Sequence, residues 1–361
     1  MLDWASDRRG TGLPLYDPLQ VMPTRRQFLL SSLAASASQA PGSAPRVRIA
    51  QIGTHHAHAA GKIASLLALK DLYEVVGLAD IEPSAAEVYA GLKRLEADAL
   101  LALPGLQAVT VETDLTLSCA MALKAIRAGK HVHLDKPGAT SLEAFREMRL
   151  EAEKRGLIVQ MGYMLRHNPG FELLFRAVRE DWLGEITEID AMMGKLADGG
   201  TRKKIGELPG GGMFELGCHM IDAVLTILGR PAKVHAFTTP TQADGVKDNQ
   251  LAVLEYAKAT VTLRCNHADP FGGPRRRFQV TGTKGSMELQ PMEAGSFVLR
   301  LSQARGGYRK GEQTVKVNVP KDRYVGEFIT LAKCLRSEMK FPWTAAHDIA
   351  VFETVLAATG G

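Results

Sequence analysis

Apolar residues fall along this chain in two kinds of block. Short, mostly apolar runs occupy residues 47–53, 73–79, 107–112, 131–134 and 157–162, while apolar positions at helical spacing occupy 57–69, 84–95, 117–128 and 141–155. A run without polar alternation marks a strand covered on both faces. Strand and helix in turn therefore predict a doubly wound parallel sheet. Farther on, residues 233–238, 250–256, 260–266, 278–281 and 286–290 read as further strands. With 361 residues the chain is expected to form two domains.

The stretch His131-Val132-His133-Leu134-Asp135-Lys136-Pro137 organises the first half. Ligands of parallel sheets sit outside the carboxyl ends of the strands, so Lys136 falls where a ligand would be. Pro137 keeps Lys136 out of the helical region and aims it. This marks Lys136 as the catalytic lysine of an oxidoreductase; a solvated lysine at a strand end is the plain alternative.

The turn after the first strand is Gly53-Thr54-His55-His56-Ala57-His58. In a dinucleotide fingerprint three glycines make the turn, admit the pyrophosphate and let helix and strand pack. Here only Gly53 is present, and His55 and His58 stand at the second and third places. Asp80, ending the second strand, is placed to bond a ribose hydroxyl and to repel the extra phosphate of NADP, which favours NAD with NADP as the alternative. No acid or cysteine beside His55, His56 and His58 in sequence completes a metal sphere, so no metal is expected and the imidazoles are assigned to a pyrophosphate or to packing.

Composition narrows the class. The formal net charge is only +5, and Arg275-Arg276-Arg277 precedes a strand and reads as a solvated edge, so no nucleic-acid partner is expected. The four cysteines Cys119, Cys218, Cys265 and Cys334 form no paired motif and read as buried thiols. No run of 18 apolar residues predicts a membrane span after processing. Before the first strand, Thr24-Arg25-Arg26-Gln27-Phe28-Leu29-Leu30 and the small residues to Ala40 look like a twin-arginine export signal, which implies the export machinery as a partner and an exported or periplasmic location. Met22 is an alternative start, and cleavage after Ala37 is favoured over Ala40 because Pro41 would follow the latter.

A second informative stretch runs from Gly210 to Asp222. Three glycines give a flexible approach to a helix on which Glu215, His219 and Asp222 lie at i, i+4 and i+7 and share a face. The structural alternative makes His219 a satisfied core histidine. At these residues the chain resembles the Gfo/Idh/MocA family. The family's Glu-Lys-Pro is matched by Asp135-Lys136-Pro137, and its glycine-led G-x-H-x-x-D helix by residues 210–222. Gly282-Thr283-Lys284-Gly285 and the closing residues 327–357 are also similar. Glu215 replaces an aspartate of the family and Asp135 a glutamate.

The resemblance implies a Rossmann domain over 46–165, after a signal and linker over 1–45, and a substrate-binding α/β domain over 166–361 with an open, mostly antiparallel sheet. One face of that sheet would mediate a homodimer or homotetramer, and the final helices would pack back on the first domain. It implies His219 as base, Lys136 as the group polarising the same oxygen, and Glu215 as an orienting group. Gly53, Thr54, His55, His58, Asp80, Thr113, Asp135, Lys136, Pro137 and Arg166 would hold the cofactor. Lys136, Arg166, Lys195, Glu215, His219 and Asp222 would hold a carbohydrate, aided by the loop 198–204. The implied activity is NAD(P)-dependent oxidation of a secondary hydroxyl of a sugar, polyol or glycoside with a tightly bound cofactor. Two alternatives stay open: redox-neutral glycoside cleavage through a transient keto-sugar, and a non-catalytic sugar-binding protein.

Overall fold

A computed structural model describes residues 44–82 and 87–360. The twin-arginine segment lies outside the described residues, as do the first residues of the expected helix 84–95. The chain begins with β1 (Val47–Ile52), α1 (Ala59–Ala68), β2 (Tyr73–Ala79), α2 (Ala97–Leu101) and β3 (Ala108–Val111). It continues through α3 (Leu115–Arg127), β4 (His131–Leu134), α4 (Leu142–Lys154) and β5 (Val159–Met161). The five strands form a parallel sheet in the order β2-β1-β3-β4-β5. All four residues of β3 are buried, as a strand covered on both faces requires.

The expected helix 84–95 is not a helix over its described part. Only a 3-10 turn, Glu87–Tyr89, forms before Gly91 takes a left-handed φ of 77°. Leu78 and the next segment then exchange backbone hydrogen bonds, Leu78 N to Lys93 O (2.8 Å) and Leu95 N to Leu78 O (2.9 Å). The edge of β2 thus captured a segment whose spacing looked helical.

The second half holds α5 (Pro169–Arg179), β6 (Ile186–Gly194), α6 (Gly199–Gly206), a π-turn (Met213–Gly217) and α7 (Cys218–Leu228). Seven strands follow: β7 (Lys233–Thr238), β8 (Asn249–Glu255), β9 (Thr260–Asn266), β10 (Arg277–Gly282), β11 (Gly285–Leu289), β12 (Ser296–Leu301) and β13 (Gly311–Lys316). The chain closes with α8 (Val325–Leu335) and α9 (Ala345–Ala358). The eight-stranded sheet has the order β13-β12-β11-β10-β6-β9-β8-β7, antiparallel except where β6 meets β9. Burial alternates along β9, with Val261, Leu263 and Cys265 inside, so one face is covered and the other open.

The final helices pack back on the parallel sheet. Phe352 of α9 stacks on Phe145 of α4 at 4.7 Å and meets Phe214 at 5.9 Å, so one apolar core runs through both halves. Residue 165 divides the two sheets but not this core. On the opposite face Tyr324 and Phe328 pack with Ile63, Leu66 and Tyr73. Each fully buried phenylalanine contributes about 1.5–3 kcal/mol. The four cysteines are buried and free, and the arginine triplet is tied down by Asp269, Glu293 and Asp190.

Candidate active site

The carboxyl ends of β1 to β4 converge at the point where strand order reverses. Gly53 has φ of 93°, and a Cβ there would lie 2.5 Å from Thr113 N and 2.6 Å from Glu112 C. Only glycine lets the exit of β1 touch the exit of β3 so closely. Thr54 Oγ1 accepts from Glu82 N (2.9 Å) and ties this turn to the exit of β2. Asp80, at φ 54°, keeps a half-exposed carboxylate 3.8 Å from His55 Nδ1, whose Nε2 is 3.8 Å from Glu82. Thr113 is buried, its hydroxyl 3.2 Å from Ser118 Oγ.

Asp135 is the hub of this side. One carboxylate oxygen lies 2.8 Å from Lys62 Nζ and 2.9 Å from the Nδ1 of both His56 and His58, and the other accepts from Lys136 N (2.6 Å). Burial alone would raise this carboxyl, but Lys62, His56 and His58 outweigh it and hold it well below the usual range. Glu112, 3.0 Å from the same Lys62, is raised by burial, which Lys62 offsets only in part while the charge of Asp135 adds to it. The sequence reading found no acid near the histidines; the fold supplies Asp135 from 77 residues away, and His56, His58 and Asp135 form a group able to hold a metal. Lys62 already occupies the oxygen such an ion would need, and its charge opposes one.

The other side carries Lys136, Glu215 and His219. Lys136 Nζ donates to Glu215 O (2.5 Å) and lies 3.6 Å from Glu215 Oε1; its peptide to Pro137 is cis. Glu215 Oε2 also meets Lys195 Nζ (3.1 Å) and His267 Nε2 (3.0 Å). Burial works against the charge of Lys136, but Glu215, Cys218 and Asp135 more than offset it and raise its pKa. His219 is only 3% exposed, and its Nδ1 has no hydrogen-bond partner among the described residues. Burial, reinforced by the positive charge of Lys136 and by His58, pushes its pKa well below the usual histidine value. Burial and charge therefore disfavour a proton on His219 and favour one on Lys136.

Two expectations are corrected here. Arg166 and Asp222 were expected to touch cofactor or substrate, but both are fully buried and face each other through Nε (3.0 Å) and Nη2 (2.6 Å). Arg166 Nη2 also reaches Asp348 (2.6 Å), Arg149 holds the other Asp348 oxygen (2.8 Å), and His347 bonds Asp222 (3.1 Å). This cluster ties α7, and so His219 one turn earlier, to the turn after β5 and to α9. Glu215, His219 and Asp222 therefore do not share one site. The expected loop 198–204 is mostly helix α6, capped by Asp198, with Arg202 held by Asp244 and Asp248.

The three glycines are close contacts rather than a flexible hinge. A side chain at Gly210 would strike Thr359, at Gly211 the Lys247 backbone, and at Gly212 the His267 ring. Sequence reasoning missed Lys62, Glu112 and His267. A lysine inside an otherwise apolar helix stripe, with Ile63 and Leu66 beside it, was the available signal for Lys62; His267 carries none.

Comparison with known proteins agrees with this geometry. Residues 47–163 match the oxidoreductase family with an NAD-binding Rossmann fold, and residues 171–288 match the GFO/IDH/MocA C-terminal domain. The chain belongs to the Gfo/Idh/MocA family. It is 24% identical over 279 residues to scyllo-inositol 2-dehydrogenase (NADP(+)) IolW of Bacillus subtilis, covering 71% of this chain and 76% of that protein. It is 28% identical over 197 residues to D-xylose 1-dehydrogenase (NADP(+)) 2 of Haloferax volcanii, covering 54% and 59%. The fold superimposes on levoglucosan dehydrogenase, solved with NADH and levoglucosan, with a TM-score of 0.77 at 17% identity over 88% and 97% of the two chains.

As a Gfo/Idh/MocA oxidoreductase the protein uses a nicotinamide dinucleotide, and the residues present fit one. Gly53 makes the tight turn, the crevice opens between β1 and β3, Asp80 keeps a half-exposed carboxylate just past β2, and His55 Nδ1 is a buried polar atom without a hydrogen-bond partner among the described residues. The eroded second and third glycines are replaced by imidazoles, with α1 starting only at Ala59. Gly61 is needed for a different reason, since a Cβ there would lie 2.6 Å from the Tyr324 ring.

Proposed function

We propose that the protein oxidises a secondary hydroxyl of a sugar, polyol or glycoside, with NAD favoured over NADP. The observation that carries this reading is a buried His219 whose Nδ1 has no hydrogen-bond partner among the described residues, on the same side of the site as a buried Lys136 that follows β4 and contacts Glu215. His219 takes the hydroxyl proton as general base. Lys136 donates to the same oxygen and stabilises the alkoxide as charge develops, in a site that excludes water. Lys195 and Glu215, each partly exposed, hold neighbouring hydroxyls. Nicotinamide, when bound, supplies the hydride acceptor. The substrates in the names of the inositol and xylose dehydrogenases support a polyhydroxylated substrate. Asp80 and Glu82 together place negative charge where the phosphate of NADP would lie, which supports NAD.

The twin-arginine motif supports export with the cofactor already bound, and the open sheet face, with Leu251 and Val253 half-buried and Phe237 exposed, supports a homodimer or homotetramer. Denaturing the purified protein and analysing the supernatant by mass spectrometry should release NAD or NADH. Release of neither, with no binding by calorimetry, removes the reading. With a deuterated polyol, the label should move to an added carbonyl acceptor; label retained on a cleaved glycoside establishes redox-neutral chemistry instead.

A further inference from the structure

Among the described residues the Lys136 ammonium is held by Glu215, through its main-chain oxygen at 2.5 Å and its carboxylate at 3.6 Å. A glutamate carboxylate turns freely unless its other oxygen is fixed. Two groups reach that oxygen, and they differ in rigidity. Lys195 Nζ, 3.1 Å away, is on a side chain 31% exposed. His267 Nε2, 3.0 Å away, is on a side chain with no exposure.

His267 is fastened on every side. Its backbone N–H donates to Asp248 O (2.7 Å), and its carbonyl accepts from Ala197 N (2.8 Å). Its ring lies against Gly212, where no side chain fits, and its Nδ1 is 3.8 Å from Cys265 Sγ. Glu215 is a carboxylate held far below the usual range: burial would raise it, but Lys136, His267 and Lys195 outweigh that. An ionised carboxylate only accepts, so Nε2–H donates and the ring tautomer is fixed.

We propose that His267 is a positioning residue for the oxidation: by locking the Glu215 carboxylate it holds the Lys136 ammonium at the point where the substrate oxygen is polarised. The assignment of Lys136 rests on the function proposed above. The groups acting on Lys136 are Glu215 and Cys218 from the π-turn and α7, Asp135 from its own strand, His219 from α7 and His58 from the turn before α1. Of these, Glu215 is the one whose orientation His267 controls.

The test reads Lys136 directly and needs no substrate. The full-length protein is labelled with acetic anhydride across a pH series, and the midpoint of Lys136 reactivity is read by peptide mass spectrometry with exposed Lys284 as reference. His267→Ala should lower that midpoint by about one pH unit, because the opposite charge is no longer held in place. His267→Gln, whose amide nitrogen can stand where Nε2 stood, should stay within a few tenths of a unit of the unaltered protein. His267→Asn is too short and should behave like alanine. Glu215→Gln should lower the midpoint at least as far, with no further drop in the Glu215→Gln/His267→Ala double variant. An unchanged midpoint in folded His267→Ala overturns the proposal. Where the alanine variant does not fold, equal midpoints for the glutamine and asparagine variants overturn it. A protein that oxidises no polyol would remove the proposed function and leave this result standing on its own.

Discussion

Two walls of the site carry histidines beside a buried lysine, and they are wired in opposite ways. On the cofactor wall His56 and His58 both bond Asp135, which also holds Lys62. On the wall proposed for the chemistry His219 Nδ1 has no hydrogen-bond partner among the described residues, and the charge of Lys136 acts on the ring. Burial lowers the pKa of both His58 and His219. The difference is the carboxylate, which partly restores the basicity of His58 and leaves that imidazole with a partner. An imidazole becomes a free base where burial is combined with a neighbouring cation, and a fixed hydrogen-bonding element where burial is combined with an acid. Each prediction below breaks one wall and compares it with the other.

Removing the base gives the largest effect. His219→Asn should lower turnover by about 10²- to 10⁴-fold. Binding of NAD, measured by calorimetry, should be nearly unchanged, since the cofactor wall is intact. Unchanged turnover would make His219 a packing residue.

The support of that wall comes next. Arg166→Ala leaves Asp222 and Asp348 buried without their shared cation, which should cost about 3–5 kcal/mol of stability. Arg166 also lies over the Tyr163 and Trp343 rings, at 4.9 and 4.6 Å, so packing is lost with the charge. Urea unfolding measures it, and a change under about 1 kcal/mol would show that the cluster does not hold α7.

The two walls also differ in how much of each could be read from sequence. Lys136, Glu215 and His219 could be singled out because they lie beside strongly patterned elements, just past β4 and around the start of α7. The strands 73–79, 233–238 and 260–266 were read to the residue, although burial alternates cleanly only along the last of them. Central strand β6 was not read, because Ile186–Gly194 buries its last four residues and breaks its alternation. Arg166, Asp222 and Asp348 come from three distant segments, and nothing local distinguishes a buried arginine from a ligand-binding one. Asp135 was assigned to the cofactor, yet its partners Lys62 and His56 became visible only once the fold joined β4 to α1.

Acid should weaken the fold in a defined window. Burial lowers His167 to about 4, and lowers His133 and His219 as well. The unfolded chain binds these protons near pH 6.5, so between there and about 4 the unfolded state carries more protons than the folded one. Stability is therefore whole above about pH 6.5 and lost as pH falls, at about 1.4 kcal/mol per unit for His167 down to about 4, with His133 and His219 adding in the same direction. Below that, protonation of Asp222, lowered to about 2 by Arg166 and His347 against its burial, continues the loss. Thermal unfolding at pH 7, 6 and 5 should show a falling midpoint, and His167→Gln should flatten the slope. A midpoint that rises toward pH 5 would contradict the buried neutral histidines.

The smallest effect is expected on the cofactor wall. His56 is about a quarter exposed, and its loss still leaves Asp135 with Lys62 and His58. His56→Ala should therefore weaken NAD binding by only about two- to tenfold, the range of one modest hydrogen bond, with kcat unchanged. The same residue type would then differ in its effect on turnover by about two orders of magnitude or more between the walls. Calorimetry and steady-state rates on both variants measure the contrast in one preparation. Should His56→Ala abolish turnover while NAD still binds, the imidazole beside Asp135 would be part of the chemistry, and the division of the two walls would fail. Should it abolish NAD binding, the turn would depend on His56 for its shape, as its N–H to Glu112 O bond (3.1 Å) allows, and the replacement of glycine amides by imidazoles would be an essential feature of this chain.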